Sequence, residues 1–341
     1  VFLERLRKRF DIRAVLTAAA DCHETVAHTA KLLGLHHLSP EIAHRCRYKH
    51  LTRETLTAAG IPQPAFVTAR TLEEAQAFCL ELGRPAVLKS TNNSGSRGFT
   101  RVATAADVTA HNFQRALDAG TTGIVLVEEC LEPIPGEISE LSVETLWTSG
   151  KMRWLNWVDR IFASDLSAFP ELASNEYSNL AAGVEIGHIN PAHHSNILRG
   201  DIELMIEAAG REIGMNTQPG AHILKADVIL TARGPIILEL TPRLSGGWDS
   251  SGSTPARGGD FVGGAISAAL GEEIDAAAWD QFFKMKHADH WVALLARVQP
   301  GARDCIGRSF AMGTAHTQAK AVQSAYQGLL ERNYVVSMDQ P

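Results

Sequence analysis

Cysteine is scarce and scattered in this 341-residue chain: Cys22, Cys46, Cys79, Cys130 and Cys305, with no C-x-x-C pair among them. That spacing argues against a disulfide framework or a thiolate zinc site and points to a reducing, cytoplasmic setting. Long apolar runs are also lacking. No stretch approaches the roughly 18–20 residues of a membrane-spanning helix, so no membrane partner is expected. Basic charge is neither abundant nor clustered: 32 Lys and Arg stand against 38 Asp and Glu, a formal net charge of −6. Such a chain is not a general binder of nucleic acid or of anionic surfaces. No internal repeat or low-complexity tract occurs. What remains is ordinary globular composition, 45% hydrophobic and 21% charged, at a length sufficient for two or three domains.

Turn and capping signals divide the chain. Residues 1–47 read as the later part of an α/β domain, with a short strand at 13–17, a helix at 24–33 and a stop at Gly34. A helix over 40–59 ends at Gly60. The prolines of Ile61-Pro62-Gln63-Pro64 then set an extended approach to a short strand. Thr71 caps the next helix, whose first turn carries Glu73 and Glu74 where the helix dipole favours acids. Strands follow at 85–89, 123–127, 141–147 and 152–158, with a helix over 106–119. Residues 159–200 are polar and read as loop-rich. Beyond them come a helix over 202–213, a hairpin over 222–240, a helix over 262–270, a strand over 290–298 and a helix over 317–330.

The densest chemistry lies in Ile236-Ile237-Leu238-Glu239-Leu240-Thr241-Pro242-Arg243-Leu244-Ser245-Gly246-Gly247. Alternate residues of a strand share a face, so Glu239, Thr241 and Arg243 would line one wall. Val228-Ile229-Leu230, led by Asp227, forms the other arm of the hairpin, and residues 231–235 form its turn. Asp227 and Glu239 would then face each other as hard-cation ligands, with Arg243 suited to a phosphate or carboxylate. Lys225 lies two residues before Asp227, on its face. Upstream, Lys89 closes a buried strand immediately before Ser90-Thr91-Asn92-Asn93-Ser94-Gly95-Ser96-Arg97-Gly98, a loop whose glycines let backbone N–H groups approach an anion. It is not a Walker A loop. Glu128, Glu129 and Leu131 end another apolar strand, where backbone groups and a leucine can meet a flat ring. Each feature alone has a plainer reading: a hairpin with solvated ends, an ordinary turn, a solvated strand end. His188, His193 and His194 read as surface histidines in a polar loop.

In this order and spacing the signals resemble the ATP-grasp superfamily from Lys49 to about residue 270, through "PAVLKS", "NSGSRG", "VLVEECL", "ELSVETLW" and "KADVILTARGPIILELTPRLSGG". The resemblance implies an α+β fold in which two lobes grip ATP, with 48–271 as the ATP-grasp domain and 272–341 as a C-terminal segment. It implies that Lys49 and Lys89 contact phosphates and that Ser94, Gly95 and Ser96 close over them. Glu128, Glu129 and Leu131 would hold adenine, largely by backbone, and Glu140 the ribose. Asp227, Glu239 and Thr241 would ligate Mg²⁺, or Mn²⁺ in its place; the family commonly has Asn where Thr241 stands. Arg243, with Lys89, would be catalytic, and Arg257 would clamp a substrate carboxylate, with other substrate-reading residues in 159–200 and 248–259. The implied activity is an ADP-forming ligase joining small-molecule carboxylates and amines through an acyl phosphate. The "PRLSGG" run resembles the amino-acid ligase and carbamoyl-phosphate-synthase-like branches. A non-catalytic ATP-binding protein and a carboxylase or carbamoyl-phosphate-type enzyme stay open as alternatives, as does a homodimer.

Overall fold

A computed structural model of the chain describes residues 2–135, 137–169, 172, 184–246, 249–297 and 309–331. The smaller of its two sheets contains β1 (Phe66–Ala69), β2 (Ala86–Ser90), β3 (Thr100–Val102) and β4 (Val125–Glu129), in the order β1-β4-β2-β3. The larger contains β5 (Glu140–Thr148), β6 (Lys151–Phe162), β7 (Glu185–Asn190), β8 (Ala221–Thr231), β9 (Gly234–Thr241), β10 (Trp291–Arg297) and β11 (Ser309–Ala315), in the order β11-β10-β7-β6-β5-β8-β9. All these pairings are antiparallel, and the fold is α+β.

Two helices cover the small sheet. Leu72–Leu82 starts in a reciprocal capping box between Thr71 and Glu74 and stops at Gly83, whose φ of 62° is left-handed. It buries Ala75 and Cys79, and the helix Ala110–Asp118 buries Phe113 and Ala116, against Leu88, Val125 and Val127. On the large sheet, the helix Asn196–Ile213 lays Ile202, Ile206, Ala209 and Ile213 over Leu141, Val143, Leu224 and Ala226. The opposite face meets Phe261 and Ala265, with Phe283, over Leu146, Ala221 and Ile223. β8 is therefore buried along its whole length, which explains its nearly continuous apolar run. Its odd positions change from Ala221 and Ile223, which are covered, to Lys225 and then Asp227, which lines a cavity.

Several expectations are corrected. Residues 13–17 join no sheet. The helix expected over 40–59 breaks at Tyr48 (φ −102°, ψ 103°) into Pro40–Arg47 and Lys49–Ala58. Among the described residues of 159–200 loop does not dominate: β6 runs to Phe162, β7 follows, and the next helix begins at Asn196. Its polar composition misleads because Asp159, His188 and Asn190 are buried and meet polar partners inside the protein. A helix over Ala276–Phe283 and strand β11 were not foreseen. Cys22, Cys46, Cys79 and Cys130 are free thiols. Cys305, Gly247 and Trp248, the last within the expected substrate-reading stretch, lie outside the described residues. Among the described residues no helix is long and apolar enough to cross a membrane.

Candidate active site

A cavity of about 290 Å³ lies between the sheets. The small sheet contributes Lys89 from β2, Ser94, Gly95 and Ser96 from the loop after it, and Glu128, Glu129 and Leu131 from the end of β4. The large sheet contributes Glu140, Arg160, Glu185, Asp227 and Glu239, and the helix Lys49–Ala58 contributes its first residue, Lys49. In the loop, Gly95 and Gly98 have φ of 64° and 76°, and Ser96 itself is left-handed at 58°, an uncommon state for a residue with a Cβ. A side chain at Gly98 would also meet Ala119 Cβ at 2.6 Å.

Charges in the cavity are interleaved. Lys49 Nζ lies 2.9 Å from Glu239 Oε1 and donates to the Asn93 carbonyl at 2.6 Å. Lys89 Nζ lies 2.5 Å from Glu128 Oε2. Asp227 and Glu239 are direct partners across β8 and β9, aided by a bulge beside Asp227. Lys225 Nζ stands 2.6 Å from Asp227 Oδ1. Burial pushes the Glu239 carboxyl up, but Lys49 and Lys225 outweigh it and hold the group at about 2. Burial lowers the Lys89 ammonium, with Glu128 opposing. Glu140 goes the other way: burial, with Asp227 and Glu185 nearby, raises it to about 7 despite Arg160. At the end of β4, the backbone N–H groups of Glu129 and Cys130 already donate to Ala65 and Pro85.

Three residues expected at the site stand off its wall. Thr241 follows Glu239 on the same strand face but is 2% exposed, and its Oγ1 has no hydrogen-bond partner. Arg243 sends Nε and Nη2 to Asp21 Oδ1 at 2.8 and 2.6 Å. Burial pushes the Asp21 carboxyl up, but Arg243 and the nearby Ser94 outweigh it and hold it below its ordinary value. Arg257 is remote from the cavity: its guanidinium is used by Asn190 Oδ1 and the carbonyls of His290 and Ala288. Three of its five N–H donors are thus engaged inside the protein, away from the cavity.

Other residues were missed. Arg160 bridges Glu140 at 3.0 Å, Glu185 at 2.9 Å and Asp227 at 3.5 Å, joining three strands on the cavity wall. Arg53 is fully buried and binds Glu128 at 2.6 Å. His188, read as a surface residue, is buried between Glu185 and Asp249 at 2.5 Å each. Burial opposes its protonation, yet the two carboxylates raise it to about 10.

No protein-family model matches the chain. It is 28% identical over 276 residues to an uncharacterised protein, y4rH, of Sinorhizobium fredii, covering 80% of this chain and 52% of that one. The chain thus spans about half the length of the curated relative it matches. Among solved structures, an L-amino acid ligase from Bacillus licheniformis superposes with a TM-score of 0.71 at 17% identity, over 96% of this chain and 82% of the other. The biotin carboxylase domain of 2-oxoglutarate carboxylase from Hydrogenobacter thermophilus, in complex with MgADP and bicarbonate, gives 0.61 at 18% identity, over 81% and 56%. The chain has the ATP-grasp fold.

Proposed function

We propose that this chain is an ADP-forming ligase that uses ATP to activate a carboxylate for attack by an amine. The reading rests on one observation above the others: a cavity between two sheets in which Lys49, Lys89 and Arg160 surround Asp227 and Glu239, which are partners on adjacent strands. The solved structures of the same fold support it, as does the near-complete overlap with an L-amino acid ligase.

The donor set fits Mg²⁺, with Mn²⁺ as a substitute. The carboxylates of Asp227 and Glu239 supply oxygen ligands of the kind a hard cation takes. When bound, the ion would neutralise phosphate charge. Lys89 and Lys49 would hold phosphate oxygens, and the 94–98 loop would exclude water, which matters because an acyl phosphate hydrolyses readily. A substrate carboxylate oxygen attacks the γ-phosphorus and the bond to ADP breaks. The amine nitrogen then attacks the acyl carbon, phosphate leaves and the amine gives up a proton. Arg243, held by Asp21 off the cavity wall, is not assigned to the developing anion. Residues 48–271 are proposed as the ATP-binding unit, flanked by 1–47 and 272–341.

A second reading has its own support. Lys225 at 2.6 Å and Arg160 at 3.5 Å already serve Asp227, as in a nucleotide-binding protein without turnover. ADP release with a panel of amino acids separates the two. ADP and phosphate formed together with an amide product support the ligase, and transfer of ¹⁸O from carboxylate to phosphate supports the acyl phosphate. MgATP binding by calorimetry without ADP from any pair favours the second reading. ADP formed only with bicarbonate points to a carboxylase.

A further inference from the structure

We infer that the turn after β7 carries a second cation site, for zinc or a similar divalent transition ion, made by His193, His194 and Glu137 and oriented by Asp159. Asp159 precedes Arg160 on β6. Neighbouring strand residues point to opposite faces, so Asp159 looks away from the cavity that Arg160 lines. Its side chain is wholly buried. Oδ2 accepts from the backbone N–H of His193 at 3.1 Å and lies 3.0 Å from His193 Nδ1. Oδ1 lies 3.5 Å from His194 Nε2, and both of those atoms are buried without a hydrogen bond. Each oxygen of one buried carboxylate thus faces one imidazole, leaving each ring a second nitrogen. A carboxylate behind the imidazole is the arrangement that fixes tautomer and direction in histidine metal sites.

The front of the site has metal-like spacing. His193 Nε2 lies 3.5 Å from Glu137 Oε2, beyond the usual hydrogen-bond range. Two ligand atoms each ~2.0–2.1 Å from one tetrahedral zinc stand roughly 3.4 Å apart. Ligand atoms of Glu137, His193 and His194 all fall within 4.8 Å of one another. The side chains of His193 and Glu137 are 31% and 48% exposed, so an ion can enter from solvent. Two imidazoles and a carboxylate select a borderline ion over Mg²⁺, which separates this site from the Asp227 and Glu239 pair. Glu137 belongs to the link between β4 and β5, so a bound ion would pin that link to the end of β7. A second cluster, Asp289, His290 and His316, has similar spacing. Asp289 and His316 there are 72% and 70% exposed, and the cluster serves as a control.

The test is zinc uptake by tag-free protein stripped with EDTA, measured by competition with a chromophoric chelator. One equivalent should bind and raise the melting temperature. His193→Ala and His194→Ala should each weaken binding at least about tenfold, and Asp159→Asn by about 10–100-fold, while His316→Ala binds as wild type. Circular dichroism confirms that each variant is folded; should Asp159→Asn not fold, the two histidine variants decide. Folded wild-type protein that takes up no zinc, or a His193→Ala variant that binds it unchanged, overturns the proposal.

Discussion

Glu128 is a carboxylate whose charge state is set by two named neighbours. It is 2% exposed, and burial alone would raise its pKa; Arg53 and Lys89 outweigh burial and hold it at about 2. A carboxyl depressed in the folded state contributes stability above its unfolded value, here 4.5, and loses it as pH falls through about 2. Denaturant melts should therefore show stability falling from about pH 5 toward pH 2, by roughly 3 kcal/mol for this group. Glu128→Gln should be less stable at pH 7 and show a flatter acid limb; an unchanged acid limb would mean that other carboxyls carry it. Glu239 sits in a comparable setting but on the proposed metal wall. If the ligase reading holds, Glu239→Gln should cost at least ~10²-fold in kcat, about 2.7 kcal/mol of barrier, in protein that circular dichroism shows to be folded. Wild-type kinetics in that variant would remove it from the site. Lys89, Asp227 and Glu239 were legible in the sequence because each interrupts an apolar strand. Arg160 and Glu185 were not, because the partners that bury them come from other strands.

Elements were legible where a local rule sufficed. Alternation and a turn gave the hairpin of β8 and β9, and a threonine cap with a glycine stop gave the helix Leu72–Leu82. The break at Tyr48 was hidden, since residues 40–58 carry no internal glycine or proline beyond Pro40 and the Lys49 N–H is instead taken by the Thr91 carbonyl. The helix Asn196–Ile213 begins earlier than its buried pattern, because Ser195 caps a first turn whose Ile197 is exposed. Within that helix Gly210 has a reason no helix rule supplies. A Cβ there would lie 2.2 Å from the ring of Trp147, which is 1% exposed. Helix propensity alone favours Gly210→Ala by about 1 kcal/mol. Forcing a methyl against a buried indole costs about 1–3 kcal/mol or more, so the variant should unfold at lower urea concentration. A raised midpoint would show that Trp147 yields to the methyl at no net cost.

At the scale of the whole molecule, the cavity exists only while the two sheets stay in register, and Arg53 ties them. It rises from the helix Lys49–Ala58, is fully buried, and gives Nε to Glu128 at the end of β4. Its Nη1 donates to Gln63 Oε1 at 2.7 Å and to the Ile237 carbonyl at 2.9 Å, and its Nη2 to the Leu238 carbonyl at 2.8 Å. One guanidinium therefore joins the small sheet to β9 through residues 75 to 185 positions away, which is why its role is not legible in the sequence. Arg53→Met keeps bulk and removes the charge. Glu128 is then left buried with Lys89 alone, and two strand carbonyls lose a donor. Breaking one side of a buried ion pair costs about 3–5 kcal/mol, and melts at neutral pH should show a loss of that order. Arg53 does not line the cavity, so a purely local role would leave ATP affinity in the folded variant unchanged. Coupling of the sheets through Arg53 requires more: MgATP binding measured by calorimetry, well below the melting temperature, should weaken at least tenfold. Wild-type affinity in a folded, destabilised Arg53→Met would confine Arg53 to stability and leave the register of the two sheets to other contacts.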